Sequence, residues 1–132
     1  MEREYQDLKA RWLSGERDRT LCLHLMFFAW MHWADPPFVT GLTDDPGATK
    51  LWHEIFAFMG GETSGDTEFL FTAGLMAELF SYALGDETEW AKRGEWMKTR
   101  ALAGAIPSAT FNDRSEYGRY FAHQLLGHRR QS

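Results

Sequence analysis

The feature that most constrains the fold of this chain is a long apolar run in its first third. Residues 21–34 read LCLHLMFFAWMHWA, 14 residues interrupted by His24 and His32. A membrane span needs about 20 apolar residues, so this run predicts the central helix of a soluble core, surrounded by other helices. Pro36 and Pro37 follow and end that helix, because the residue before a proline disfavours the helical conformation.

Helix signals dominate the rest of the chain. Apolar residues recur at helical spacing, and no segment alternates between apolar and polar residues as a half-buried strand would. The chain has 132 residues, 44% of them hydrophobic, and no linker, which predicts a single domain covering 1–132. We therefore expect an all-α fold, a helical bundle or a stack of helical hairpins. The six predicted helices span about 3–13, 16–34, 46–59, 67–84, 87–105 and 113–128.

Individual residues predict where these helices begin and how closely they pack. Pro46 suits the first turn of the third helix. In the fourth helix, Gly74 allows a neighbouring helix to approach closely, since glycine has no side chain. The expected N-terminal caps of the third, fourth and fifth helices are Asp45, then Asp66 or Thr67, then Asp86.

The first residues and the single cysteine indicate in which cellular compartment the protein is expected. The segment MEREYQDLKARW is charged and lacks the apolar core of a signal peptide. Cys22 lies within the apolar run, which predicts a buried, reduced thiol. With no segment long enough to span a membrane, these features predict a cytoplasmic protein.

Charge is distributed unevenly along the chain. The formal net charge is −5, but 20–91 holds eleven acidic residues and one basic residue, Lys50, so that this segment carries −10. Residues 1–19 balance to zero, and 92–132 carries +5. Either the basic part neutralises the middle within the fold, or the acids form a negative surface that attracts a basic partner and repels nucleic acid.

Several acids fall in predicted loops or turns. Loop acids without nearby bases produce a negative field, which favours a basic protein partner. The basic pair Arg129-Arg130 near the C-terminus is too short to favour nucleic acid. The loop acids are Asp35, Asp44, Asp45, Glu62 and Asp66.

Tests for catalysis and metal binding are negative. His53-Glu54 begins the zinc motif HExxH, but Ala57 stands where the second histidine is needed. No histidine has an acidic residue three positions before it, as di-iron bundles require. His24 and His32 are expected to be hydrogen-bonded core histidines. We therefore expect no catalytic residue, no metal ligand and no cofactor.

Two parts of the chain resemble known families. Residues 66–103, with small residues Gly74 and Ala77 before a short turn and Trp90 after it, resemble one helix–turn–helix unit of tetratricopeptide-type repeats. The segments DTEFLFTAGLMAELFSYALGDETEW and EYGRYFAHQ resemble small bacterial immunity proteins encoded beside polymorphic toxins. That resemblance implies a tight, stoichiometric inhibitor of a toxin domain, often a basic nuclease, and transfers no binding residue.

The leading hypothesis is an acidic helical binding protein that inhibits a basic partner. Pro36 and Pro37 would hold the loop at 35–46 rigid, with Phe38 and Leu42 packed beneath it. Aromatic side chains would supply buried interface area, and the acids would supply association rate and specificity. The candidate partner-binding residues are Asp35, Phe38, Asp44, Asp45, Glu62, Asp66 and Glu68.

Two other hypotheses remain open. A small helical enzyme would use His53, Glu54 and His32 as acid–base groups in a cleft. A self-associating scaffold, and so a homo-oligomer, would use the aromatic face of the last helix, made by Tyr117, Tyr120 and Phe121.

Overall fold

Seven α-helices and three 3-10 turns form the described part of the chain. The computed structural model describes residues 1–104 and 106–131, with the side chains of all of these except 108 and 129–131. None of the described residues lies in a strand, so the predicted all-α fold is confirmed. The helices are α1 (Glu2–Leu13), α2 (Arg19–Ala34), α3 (Pro37–Thr40), α4 (Ala48–Phe58), α5 (Thr67–Leu79), α6 (Glu87–Ala103) and α7 (Ser115–Gln131). The 3-10 turns are Gly61–Thr63, Ser81–Ala83 and Ser108–Phe111.

Helix α2 lies at the centre of the molecule, as its apolar sequence predicts. Ten of its residues from Leu21 to Met31 are buried, and α1, α4 and α7 pack against it. It begins at Arg19, three residues later than predicted. The reason is the cap: the carboxylate of Asp18 accepts a hydrogen bond from the N–H of Leu21 at 2.9 Å, which starts the helix there.

Helices α5 and α6 pack against each other more extensively than any other pair in the described part of the chain. Their backbones touch at two glycines. A Cβ atom on Gly74 would lie 2.8 Å from the carbonyl oxygen of Gly94, and one on Gly94 would lie 2.6 Å from the carbonyl oxygen of Gly74. The close approach predicted at Gly74 is therefore confirmed.

The helix boundaries were predicted with mixed success. Asp66 and Asp86 cap α5 and α6 as expected. Asp45 does not cap α4, which begins at Ala48 after Gly47. One carboxylate oxygen of Asp45 bonds Tyr5 and Lys9 of α1, and the other accepts from the N–H of Gly47 in the turn before the helix. Helix α5 also ends five residues before the predicted boundary. There Phe80 leaves the helical conformation, with φ at −134°, and its ring packs edge-on against an aromatic side chain of α2.

Helix α7 places its aromatic face inside the molecule. Tyr117 and Phe121 are fully buried, and their rings lie 5.9 and 5.5 Å from the ring of Phe27 in α2. Tyr120 is half-buried beside them. The face proposed for self-association is therefore largely occupied by the core, which removes most of the surface that this hypothesis needs.

The apolar run also contains the cysteine. Cys22 is a buried free thiol, as predicted, and burial raises its pKa to about 11.

Among the described residues, no helix combines the length and the apolar character that crossing a membrane requires.

Candidate partner-binding site

The loop that follows α2 is attached to the body of the protein at its base. We call residues 35–45, which include α3, the Phe38 loop. Thr40 and Leu42 are buried, and the Thr40 hydroxyl accepts a hydrogen bond from the N–H of Leu42 at 3.1 Å. The N–H of Thr43 donates a hydrogen bond to the Glu2 carboxylate at 2.5 Å. These contacts hold the loop against α1.

Asp45 anchors the end of the Phe38 loop. Its carboxylate accepts hydrogen bonds from the Tyr5 hydroxyl at 2.5 Å, the Lys9 ammonium at 2.7 Å and the N–H of Gly47 at 2.8 Å. Burial raises the pKa of this carboxyl, but the bonds donated by Lys9 and Tyr5 outweigh burial and lower the pKa to about 2. The expectation that Asp45 lacks a nearby base is therefore wrong.

The tip of the Phe38 loop exposes two large apolar side chains. Phe38 is 89% exposed and Val39 is 60% exposed. Both lie in α3, a single turn that follows Pro36 and begins with Pro37, so the backbone before them is stiff. The expected packing of Phe38 is wrong, because Thr40 occupies the buried side of this one turn.

Two carboxylates flank this apolar tip. Asp35 is half-buried at the end of α2, and Asp44 is exposed on the other side of α3. Neither forms an ion pair with any residue whose side chain the structure describes. The tip therefore combines an accessible aromatic ring with two negative charges that no described side chain pairs.

The other three candidate acids lie at the opposite end of α2. Arg19, the first residue of α2, donates hydrogen bonds to both oxygens of Asp66, at 2.6 and 2.9 Å. Helix α2 has 16 residues, so a rise of 1.5 Å per residue separates its two ends by roughly 24 Å. The structure therefore does not bring Glu62, Asp66 and Glu68 together with the Phe38 loop.

These three acids are also paired within the molecule. Glu62 lies 3.4 Å from the guanidinium of Arg93. Glu68 is only 6% exposed, and its carboxylate contacts the guanidinium of Arg114 at 2.7 Å and that of Arg19 at 3.1 Å. The expectation of loop acids without nearby bases is wrong here too. Of the seven candidates, Asp35, Phe38 and Asp44 are accessible and form no ion pair with any described side chain.

The residues proposed for an enzyme have separate roles in the fold. The Nε2 atom of His53 lies 2.8 Å from the carbonyl oxygen of Leu84, and Glu54 pairs with Lys50 on the surface at 3.9 Å. The ring of His32 is hydrogen-bonded through Nδ1 to carbonyls of its own helix. No group of three or more potential metal ligands occurs among the described residues.

His24 packs against an aromatic ring of α7 and has one ring nitrogen that the described residues leave without a hydrogen bond. Its ring stacks on that of Tyr117 with 4.4 Å between the centroids, and its Nε2 atom is buried without a hydrogen-bond partner among the described residues. Burial and the positive charge of Arg114 lower its pKa to about 4. The expected hydrogen bond is therefore present for His32, and the described residues offer none to the Nε2 atom of His24.

No protein-family model matches this chain, and comparison with curated proteins and with solved structures likewise gives no match. The functional argument therefore rests on the geometry of the Phe38 loop. The side chains of Arg129 and Arg130 lie outside the described residues.

Sequence reasoning missed Val39, which shares the exposed tip with Phe38. A signal was present in the sequence. The pair follows two prolines and precedes Thr40-Gly41, so the segment is too short to continue as an amphipathic helix that buries both side chains.

Proposed function

We propose that this protein binds a basic partner protein through the tip of the Phe38 loop and thereby blocks the activity of that partner. The observation that carries the proposal is the 89% exposure of Phe38 between Asp35 and Asp44, two acids without an ion-pair partner among the described side chains. Aromatic anchors supply much of the binding energy in protein interfaces, and surrounding acids add association rate and selectivity for basic surfaces.

Because the Phe38 loop is attached to α1, Phe38 is well placed to act as an anchor in an interface. Burying a phenylalanine side chain that is otherwise in water gains about 1.5–3 kcal/mol. Binding also costs the entropy of ordering flexible segments, and that cost falls when the segment is already fixed. Asp45 and Thr43 tie the loop to α1, so Phe38 is presented on a backbone that needs little further ordering.

The more specific form of the proposal is an immunity protein. The resemblance of two segments to immunity proteins of polymorphic toxin systems supports a stoichiometric inhibitor that neutralises a toxin domain in a bacterial cytoplasm. A nuclease is the favoured target class, because nucleic-acid-binding surfaces are basic and so complement the acids of the Phe38 loop.

A capture experiment tests the proposal. Tagged protein is incubated with lysate of the source organism and washed at low and at high salt. The variants are Phe38→Ser and, as a matched control, Leu13→Ser, because Leu13 is 71% exposed and lies at the end of α1 remote from Glu2, the residue that contacts the loop.

We expect wild-type protein and Leu13→Ser to retain one basic protein in a one-to-one ratio, with its activity inhibited. Phe38→Ser should bind that partner at least about tenfold more weakly, as loss of an aromatic anchor does. Equal capture by Phe38→Ser would remove the loop from the interface. Failure of wild-type protein to retain any basic partner would contradict the proposal itself.

A further inference from the structure

Two residues of α1 hold the end of the Phe38 loop through Asp45. The hydroxyl of Tyr5 donates to one oxygen of the Asp45 carboxylate at 2.5 Å, and the ammonium of Lys9 donates to the same oxygen at 2.7 Å. Tyr5 is fully buried, and its ring centroid lies 4.5 Å from that of His32 in α2, so packing between two helices fixes the ring that carries the hydroxyl. We call Tyr5, Lys9 and Asp45 the loop clasp.

The loop clasp restrains the connection between α2 and α4. Helix α2 ends at Ala34 and α4 begins at Ala48, and the single turn α3 is the only regular structure between them. An unrestrained connection of this kind samples many conformations, and a partner that must fix the tip on binding loses affinity to that ordering. With Asp45 held by the clasp, much of the ordering is already present in the free protein.

We propose that Tyr5 and Lys9 are positioning residues for partner binding, which hold the Phe38 loop in the conformation that presents Phe38. The inference rests on the proposed function and names the residues that prepare its surface. Tyr5 is fully buried, so it cannot touch a partner. Lys9 carries a positive charge, which by itself repels a basic partner. A loss of affinity on changing either residue must therefore act through the conformation of the loop.

Three variants separate positioning from stability and from charge. Tyr5→Phe removes one hydroxyl and leaves the net charge unchanged. Its matched control is Tyr117→Phe, because Tyr117 is also fully buried and its hydroxyl also donates to a carboxylate at 2.5 Å, that of Glu68 at the far end of α2. Lys9→Met keeps a long apolar side chain and removes a positive charge. Electrostatics alone predicts that Lys9→Met binds a basic partner more tightly, whereas a positioning role predicts weaker binding.

The loop gives a first readout that needs no partner. Amide hydrogen exchange is followed by NMR at Thr43, whose N–H donates to the Glu2 carboxylate within the loop. We expect Tyr5→Phe and Lys9→Met to speed exchange at this amide by at least about fivefold, because each loses a hydrogen bond to a charged group. Tyr117→Phe should leave the exchange rate at Thr43 unchanged. Wild-type exchange rates in both clasp variants would overturn the restraint itself.

Binding of the captured basic partner gives the second readout. We expect Tyr5→Phe and Lys9→Met each to raise Kd by at least about threefold, and Tyr117→Phe to change Kd by less than about twofold. Wild-type affinity in Tyr5→Phe, tighter binding by Lys9→Met, or equal weakening by Tyr117→Phe would overturn the positioning role and leave the proposed function standing. Failure of wild-type protein to capture any basic partner would instead contradict the proposed function, and the positioning role with it.

Discussion

Glu68 is a carboxylate that the fold removes from water and surrounds with donors. It contacts Arg19 at the start of α2, Arg114 just before α7, and the hydroxyl of Tyr117 at 2.5 Å. A buried ion pair adds little net stability compared with apolar packing, but removal of one partner leaves the other charge buried and uncompensated. Glu68 therefore fixes how three helices meet at this end of the molecule.

Removal of this carboxylate should be costly. We expect Glu68→Ala to lower the free energy of unfolding by about 3–5 kcal/mol, because Arg114 and Tyr117 lose their acceptor. The matched control is Glu54→Ala, since Glu54 is exposed on α4 and pairs with Lys50 at 3.9 Å; it should change stability by less than about 0.5 kcal/mol. Urea unfolding measures both, and similar losses in the two variants would contradict the role given to Glu68.

His24 should make stability depend on pH. Its pKa is lowered from 6.5 to about 4 in the fold. Below pH 6.5 the unfolded chain takes up a proton that the folded chain does not, so stability falls as pH drops from about 6.5 to about 4 and is unaffected by this group at higher pH. Burial also lowers the pKa of His53, which acts in the same direction.

His24→Phe isolates the effect of His24. Phenylalanine keeps a ring against Tyr117 and cannot titrate. Between pH 7 and about pH 4.5, we expect wild-type protein to lose about 1–2 kcal/mol more unfolding free energy than His24→Phe, after allowance for partial exposure of the histidine. The difference in unfolding free energy between pH 7 and about pH 4.5 is compared within each variant, which removes any effect of the substitution that does not depend on pH. Parallel profiles for wild type and His24→Phe would refute this assignment.

At the scale of elements, the contact between α5 and α6 depends on two glycines. In Gly74→Ala, the added methyl group would lie 2.8 Å from both the Gly94 carbonyl oxygen and the backbone nitrogen of Lys98, so the helices must separate. We expect a loss of about 1–3 kcal/mol in unfolding free energy, even though alanine has a higher helix propensity than glycine.

The matched control is Gly127→Ala in α7. A Cβ atom added there meets no atom within 4 Å, and the change should stabilise the protein by about 0.5–1 kcal/mol. Thermal unfolding measures both variants. We expect a loss of stability in Gly74→Ala and a gain in Gly127→Ala.

The same elements show which features a sequence can predict. Caps such as Asp66 and Asp86 act within three residues of their own position, and the apolar run of α2 needs no knowledge of its neighbours, so both were predicted. The side chains that bond Asp45 and Glu68 lie 36 to 49 positions away in the chain. Such pairs depend on how whole helices pack, which local patterns do not encode, and the candidate site was therefore predicted only in part.

At the scale of the whole molecule, the uneven charge along the chain is partly cancelled by folding. Basic residues from both ends pair with acids of the middle segment: Lys9 with Asp45, Arg19 with Asp66 and Glu68, Arg93 with Glu62, Lys98 with Glu78, and Arg114 with Glu68. The alternative in which the basic parts neutralise the middle therefore holds for much of the surface. A net charge of −5 remains, and at the Phe38 loop two carboxylates keep their charge without a partner among the described residues. We infer that electrostatic attraction of a partner would be local to that loop.

Two variants with the same change in net charge test this locality. Asp44→Asn and Asp66→Asn each remove one negative charge, but the two sites flank opposite ends of α2, a helix roughly 24 Å long, and the screening length is only about 8 Å at physiological ionic strength. With a captured basic partner, Asp44→Asn should reduce the association rate constant by about two- to threefold, with a weaker salt dependence. Asp66→Asn should leave that rate unchanged and lower stability instead, because Arg19 loses its two-bond ion pair with the Asp66 carboxylate. Stopped-flow measurements give both association rate constants. Equal slowing of the two variants would mean that the net charge of the molecule attracts the partner. No slowing in either variant would place the partner away from the Phe38 loop.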